Sequence, residues 1–327
     1  MTGAGKMRAR AGEMRLADAG GVAAAAALIR AGGLVAFPTE TVYGLGADAT
    51  DALAVAKIFE AKGRPAFNPL IAHVGDLAAA VAQGVFNQDA LALARAFWPG
   101  PLTLVVPARA DCAVCDLARA GLASVALRVP SHPVALALIR AAARPLAAPS
   151  ANRSGRVSAT SAAHAAAQLG GRIDLILDGG PADVGVESTI VACLDGTPRL
   201  LRAGGFFRAQ IEAVLGRALG AAEDGAVTAP GQLASHYAPR GALRLDARGL
   251  EAGEAGLDFG GVFAPGPRVI DLSPNRDLRE AAARLFSALH AFDAMGAARI
   301  AAAPVPHEGL GEAINDRLTR AAAPRVG

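Results

Sequence analysis

Apolar and polar positions along this 327-residue chain follow two rhythms. Short apolar runs bounded by Gly or Pro have the length of buried strands: LVAF at 34–37, LIAHV at 70–74, LTLVV at 102–106 and VALRV at 125–129. LILDGG at 175–180 reads as a strand and turn, and PLAA at 145–148 leads into a loop. Between these runs, helical periodicity appears near 21–31, 51–62, 77–83, 88–97, 133–143 and 160–168. Asp51 stands where a helix cap belongs, and Gly63 where that helix should stop. STIVAC at 188–193 and PRLLR at 198–202 flank a DGT turn and predict a hairpin, followed by a helix over 207–219. Strands alternating with helices specify an α/β domain, and the hairpin makes its sheet mixed rather than purely parallel.

The rhythm breaks at 220–240, where GAAEDGAVTAPGQLASHYAPR has weak periodicity, two prolines and small residues. A connection of this length is either functional or a tether. Beyond it, RVIDLS at 268–273, a helix over 276–292, ARIAAAP at 298–304 and a helix over 309–323 predict a second, smaller α/β unit. The expected division is a first domain over 14–208, a linker or lid over 209–240, and a C-terminal domain over 241–327.

Composition narrows the class. Hydrophobic residues make up 53% of the chain, but no run approaches the ~20 apolar residues of a membrane helix. The basic start, MTGAGKMRARAGEMRL, is not followed by an apolar core and cleavage site, so the expectation is a cytoplasmic protein without a membrane partner. Cys112 and Cys115 form one CxxC, and Cys193 stands alone. A zinc ribbon needs a second pair, so the expectation is small loop or core residues and no protein metal site. Up to residue 208 there are 20 Arg and Lys against 15 Asp and Glu; afterwards there are 12 against 14. The basic excess suits an anionic substrate such as a nucleotide. GAGK at 3–6 lacks the preceding strand and the following Ser or Thr of a phosphate-binding loop.

Four polar loops remain. Pro38–Gly46 (PTETVYGLG) offers hydroxyls and close backbone approach. Lys62 and Arg64, near Asn68 and His73, either clamp phosphate oxygens or form a cationic helix end. Arg128, on an apolar strand that starts near Ser124, needs an anionic partner, which a substrate carboxylate or a structural acid could supply. Ser150, Asn152 and Ser158, with the later Glu187, Ser188 and Arg202, make hydroxyl-rich and amide-rich loops suited to phosphate and ribose. His307-Glu308 and Asn315-Asp316-Arg317 admit a functional reading, but helix capping and surface pairing are the stronger one.

In order and wording, PTETVYGLG, KGRPAFNPLIAHV, FWPGPLTLVV, VALRVPSHP, APSANRSGRVS, GGPADVGVESTIV and LLRAGG resemble the YrdC-like domain of threonylcarbamoyl-AMP synthases. PGQLASHYAP and GLGEAINDRLTRAA resemble the linker and second domain of the long form. The resemblance implies a YrdC-like twisted mixed sheet with flanking helices, plus a smaller Rossmann-like α/β domain. It implies a nucleotidyltransferase that joins L-threonine, bicarbonate and ATP into threonylcarbamoyl-AMP and pyrophosphate. Mg²⁺ would be held mainly by the ATP phosphates. A downstream transferase would then modify tRNA beside the anticodon, with a weak tRNA contact by this chain. By motif, Lys62, Arg64, Ser150 and Asn152 correspond to the catalytic signature. Thr41, His73, Arg128, the Ala148 backbone and Ser188 correspond to threonine-binding positions. Lys62, Arg64, Asn68, Ser124, Ser150, Ser158, Arg202 and the linker's Tyr237 correspond to ATP-binding positions. Two other readings compete. A carbamoyl-adenylate enzyme of hydrogenase maturation should carry paired CxxC motifs, which are missing. An RNA-binding module should carry more aromatics than one Trp and two Tyr.

Overall fold

The computed structural model describes residues 12–221 and 235–324. GAGK and positions 222–234 of the linker lie outside them. Ten strands form one mixed sheet: β1 (Glu13–Leu16), β2 (Val35–Phe37), β3 (Gly44–Asp48), β4 (Ile71–His73), β5 (Leu102–Pro107), β6 (Ser124–Arg128), β7 (Leu146–Ala147), β8 (Leu175–Asp178), β9 (Thr189–Ala192) and β10 (Arg199–Arg202). Their order is β1-β8-β2-β3-β7-β4-β6-β5-β9-β10. The second sheet holds β11 (Ala242–Arg244), β12 (Ala255–Asp258), β13 (Val269–Asp271) and β14 (Arg299–Ala302), all parallel, in the order β11-β14-β12-β13. Helices Leu278–Ala294 and Gly311–Ala322 accompany this second sheet.

The mixed sheet has the expected α/β character, and the β9–β10 hairpin is antiparallel as its turn predicts. Residues 44–48 are a strand where the sequence reads as loop through Gly46. GLGAD carries no β-branched residue, so propensity gives no signal. Pairing on both edges, to β2 and to β7, imposes the strand instead. Gly46 is required by packing, because a Cβ there would lie 2.7 Å from the Phe37 ring. Tertiary pairing likewise makes strands of the short segments β1, β11 and β12. The helix expected over 207–219 is shorter, Arg208–Leu215, because Gly216 turns left-handed at φ 66°.

The two sheets share an apolar seam. Val42, Val157 and Val186 from the first part pack in one cluster with Phe286, Leu289 and Phe292 of the helix Leu278–Ala294. Gly185 allows this approach, since its φ is +73° and a Cβ there would meet the Ala282 carbonyl at 2.4 Å. Of the described residues, no helix is long and apolar enough to cross a membrane.

Candidate active site

Two strands act as the ruler of the site. β4 and β6 run parallel, with Ile71 opposite Ala126 and His73 opposite Arg128. Side chains two apart share a face, so Ser124, Ala126 and Arg128 line up along one side of β6. Ser124, at the start of the same strand, lies about 13 Å from Arg128 at ~3.3 Å per residue. Ile71 and Ala126 cluster with Val105 and Ala192 on an apolar floor between the ends.

At one end stand Thr41, His73, Arg128, Ala148 and Ser188, all buried. Thr39 braces Thr41 through paired hydroxyls 2.8 Å apart and donates to the Val42 carbonyl at 2.6 Å. Burial first, and Arg128 second, pull His73 down to about 3, so the ring is neutral at ordinary pH. Arg128 donates to Glu40 at 2.7 Å, and both groups are buried. The anionic partner that Arg128 requires is therefore present in the protein, as Glu40. That pairing is incomplete, because Glu40 Oε2 and Arg128 Nε have no hydrogen-bond partner. Ser188 Oγ meets Thr103 Oγ1 at 2.7 Å and accepts from Arg202 at 3.1 Å.

At the other end, the helix Ala52–Lys62 stops at Gly63, which is left-handed at φ 61°, and delivers Lys62 and Arg64 inward. Lys62 Nζ donates to the carbonyls of Ser150 and Asn152, pinning that loop to the helix end. Burial, then Arg64, lowers Lys62 well below its usual pKa, while Glu187 opposes the shift. Arg64 is gripped by the carbonyls of Asn68 and Pro69, and burial brings it to about 10. Asn68 is fully buried with neither side-chain polar atom paired. Ser158 is buried and donates to Glu187 at 2.5 Å. Asn152 ties its amide to the carbonyls of Arg153 and Arg156, so its side chain shapes the loop.

His236 and Tyr237 cap the cleft. Tyr237 is 1% exposed, sits at φ 63°, and its hydroxyl lacks a partner. With both seated, about 40 Å³ of free space remains, lined by Thr41, Arg64, His73, Arg128, Ala148, Ser150, Ser188, Arg202 and Tyr237 among others. Lys62, Asn68, Ser124, Asn152 and Ser158 are not among the residues that line this space. A larger groove of about 560 Å³, lined by Arg153, Arg156, His164, Arg240 and His290 among others, holds none of the sequence-predicted site residues.

Three residues escaped sequence reasoning: Glu40, His236 and Arg317. The Arg317 signal was present. With Ala313, Ile314, Leu318 and Ala321, it falls on the apolar stripe of its helix rather than on the solvent face. The expected surface pairing of 315–317 is thus corrected for Arg317, which is 0% exposed. Cys112 and Cys115 are free, half-buried thiols, and the described residues include no group of three or more His, Cys, Asp or Glu that could hold a metal.

A family model described as telomere recombination matches residues 27–204, and one for the threonylcarbamoyl-AMP synthase C-terminal domain matches 207–323. A Bacillus subtilis protein named threonylcarbamoyl-AMP synthase is 43% identical, covering 93% of this chain and 94% of its own. Its Pyrococcus abyssi namesake is 42% identical, over 92% of this chain and 94% of its own. A crystal structure of P. abyssi Sua5 complexed with L-threonine superposes with a TM-score of 0.86 at 39% identity, covering 95% of this chain and 96% of that one.

Proposed function

The chain belongs to the threonylcarbamoyl-AMP synthase family in its two-domain form, a nucleotidyltransferase-type enzyme family, and from that premise we propose that it condenses L-threonine, bicarbonate and ATP into threonylcarbamoyl-AMP and pyrophosphate. The observation that carries this reading is the two-ended cleft. A small, neutral pocket with a buried arginine closes one end of the β4–β6 pair, and cations gripped by loop carbonyls close the other.

The chemistry follows from that separation. Threonine's amine and bicarbonate give a carbamate and water. A carbamate oxygen attacks the α-phosphorus of ATP, and the bond to the β-phosphate oxygen breaks, releasing pyrophosphate. Such a displacement requires alignment and charge neutralisation rather than a covalent nucleophile. Thr41, His73, Arg128, the Ala148 backbone and Ser188 hold threonine, with the free Nε of Arg128 directed to its carboxylate. Lys62 and Arg64, with Asn68, Ser124, Ser150, Ser158 and Arg202, hold the nucleotide, and Lys62, Arg64, Ser150 and Asn152 align the reacting phosphate. The unpaired amide of Asn68 supports a polar ligand at that end. Protein carboxylates at this end are few, and Glu187 is engaged by Arg317 and Ser158. Mg²⁺ would therefore sit mainly on triphosphate oxygens and neutralise them.

The remaining 40 Å³ is far below the roughly 300–1,000 Å³ of a small-molecule site. ATP binding therefore requires Tyr237 and His236 to lift, and their return excludes water from the labile product. The product would serve a downstream transferase acting on tRNA in the cytoplasm, with a weak tRNA contact by this enzyme. Residues 14–208 would carry the chemistry, 209–240 the lid, and 241–327 its support. Mass spectrometry of the reaction mixture tests the proposal. Threonylcarbamoyl-AMP should form only when all three substrates are present, and AMP without the carbamoyl adduct would refute it.

A further inference from the structure

Arg317 belongs to the helix Gly311–Ala322 beside the second sheet, yet it ends among the residues that wall the nucleotide end. It has no exposure to solvent. Its Nε donates to Glu187 at 2.8 Å and its Nη2 to the Ala203 carbonyl at 2.9 Å. Nη1 meets Asp316 of its own helix. The guanidinium carbon lies 5.0 Å from the centre of the Tyr237 ring, within cation–π range. One side chain thus joins three distant segments: the loop before β9, the turn after β10, and the lid.

A buried charge is a poor way to gain stability, because an apolar side chain of similar volume is often as good or better. What a guanidinium supplies is direction, through a rigid fork for hydrogen bonds and a flat face for a ring. Glu187 relays that direction, since its second oxygen accepts from Ser158 in the loop that Lys62 pins.

We infer that Arg317 is a positioning residue through which the C-terminal domain holds Glu187 and Tyr237 in the arrangement that adenylate transfer requires. This rests on the proposed function above. Arg317 acts through these two groups, because both line the cleft and Arg317 does not.

The charges around Glu187 supply a distinctive readout. Arg317, Arg202, Lys62, Ser158 and Tyr237 face the carboxylate, with Asp316 beyond Arg317. Burial pushes its pKa up, and Arg317 and then Arg202 outweigh burial to hold it below the ordinary value. Without Arg317 that pKa must rise, so activity should begin to fall at a higher pH on acidification.

The experiment compares threonine-dependent pyrophosphate release by the full chain with that of Arg317→Met, Arg317→Lys, Glu187→Gln and the double variant E187Q/R317M. R317M should lose about 100-fold in kcat, the scale of a small misplacement at a reacting centre, with little change in threonine KM. Its acid limb should move to higher pH, R317K should recover part of the rate, and the double variant should be no worse than R317M. A folded R317M with wild-type kcat and an unmoved acid limb would overturn the inference. So would a double variant whose loss equals the product of the two single losses. If R317M fails to fold, E187Q and R317K decide: a loss of about 100-fold in E187Q with a smaller loss in R317K supports the inference, and wild-type turnover in either overturns it. A wild-type enzyme without threonine-dependent release would instead overturn the functional reading, and the inference with it.

Discussion

Arg128 and Glu40 are buried together, and each keeps one polar atom unpaired, Nε and Oε2. Truncating the arginine would strand the carboxylate, so Arg128→Ala should destabilise the protein by about 3–5 kcal/mol in urea unfolding as well as weaken threonine use. Arg128→Lys separates the two effects. It keeps the charge but loses the fork, so threonine KM should rise roughly tenfold while ATP affinity, measured calorimetrically, changes little. Equal losses for both substrates would make Arg128 a purely structural arginine. Lys62 is the opposite case, because its grip on the Ser150 and Asn152 carbonyls ties that loop to the helix end. Lys62→Met should therefore reduce kcat and raise ATP KM together.

Among the elements, the helix Ala52–Lys62 is legible in the sequence, since Asp51 caps it and Gly63 ends it. Its end brings Lys62 and Arg64 inward, where the proposed function assigns them to an anion. β3 and β12 are not legible. Their sequences, GLGAD and AGLD, are small, and pairing on both edges makes them strands. The same small residues test this account: Gly46→Ala presses on Phe37 and should cost about 1–3 kcal/mol by thermal or urea unfolding. Partners hid the remaining site residues. Glu40 lies 88 positions from Arg128, and Arg317 lies 130 from Glu187, so no local pattern announces either pair. The apolar stripe carrying Arg317 was the one local sign.

For the whole molecule, the seam between the sheets is apolar and is crossed by a pair of stacked histidines. His164 stacks on His290 at 3.8 Å across it, and burial, then the neighbouring ring, brings His164 to about 4. His73 lies at about 3. Unfolded histidines titrate near 6.5, so the unfolded chain takes up protons that the folded chain refuses. Stability should be full above pH ~6.5 and should fall as the pH drops toward 4. His164 should contribute about 1–2 kcal/mol of that loss after solvent screening, and His164→Gln should flatten the slope by that amount. A slope unchanged in the variant would remove His164 from the account. The same seam lets Arg317 of the second unit reach Glu187 and the Ala203 carbonyl of the first. Pyrophosphate release from ATP, measured with and without L-threonine and bicarbonate, tests the central claim most directly. Release should require both co-substrates; release indifferent to threonine would contradict it.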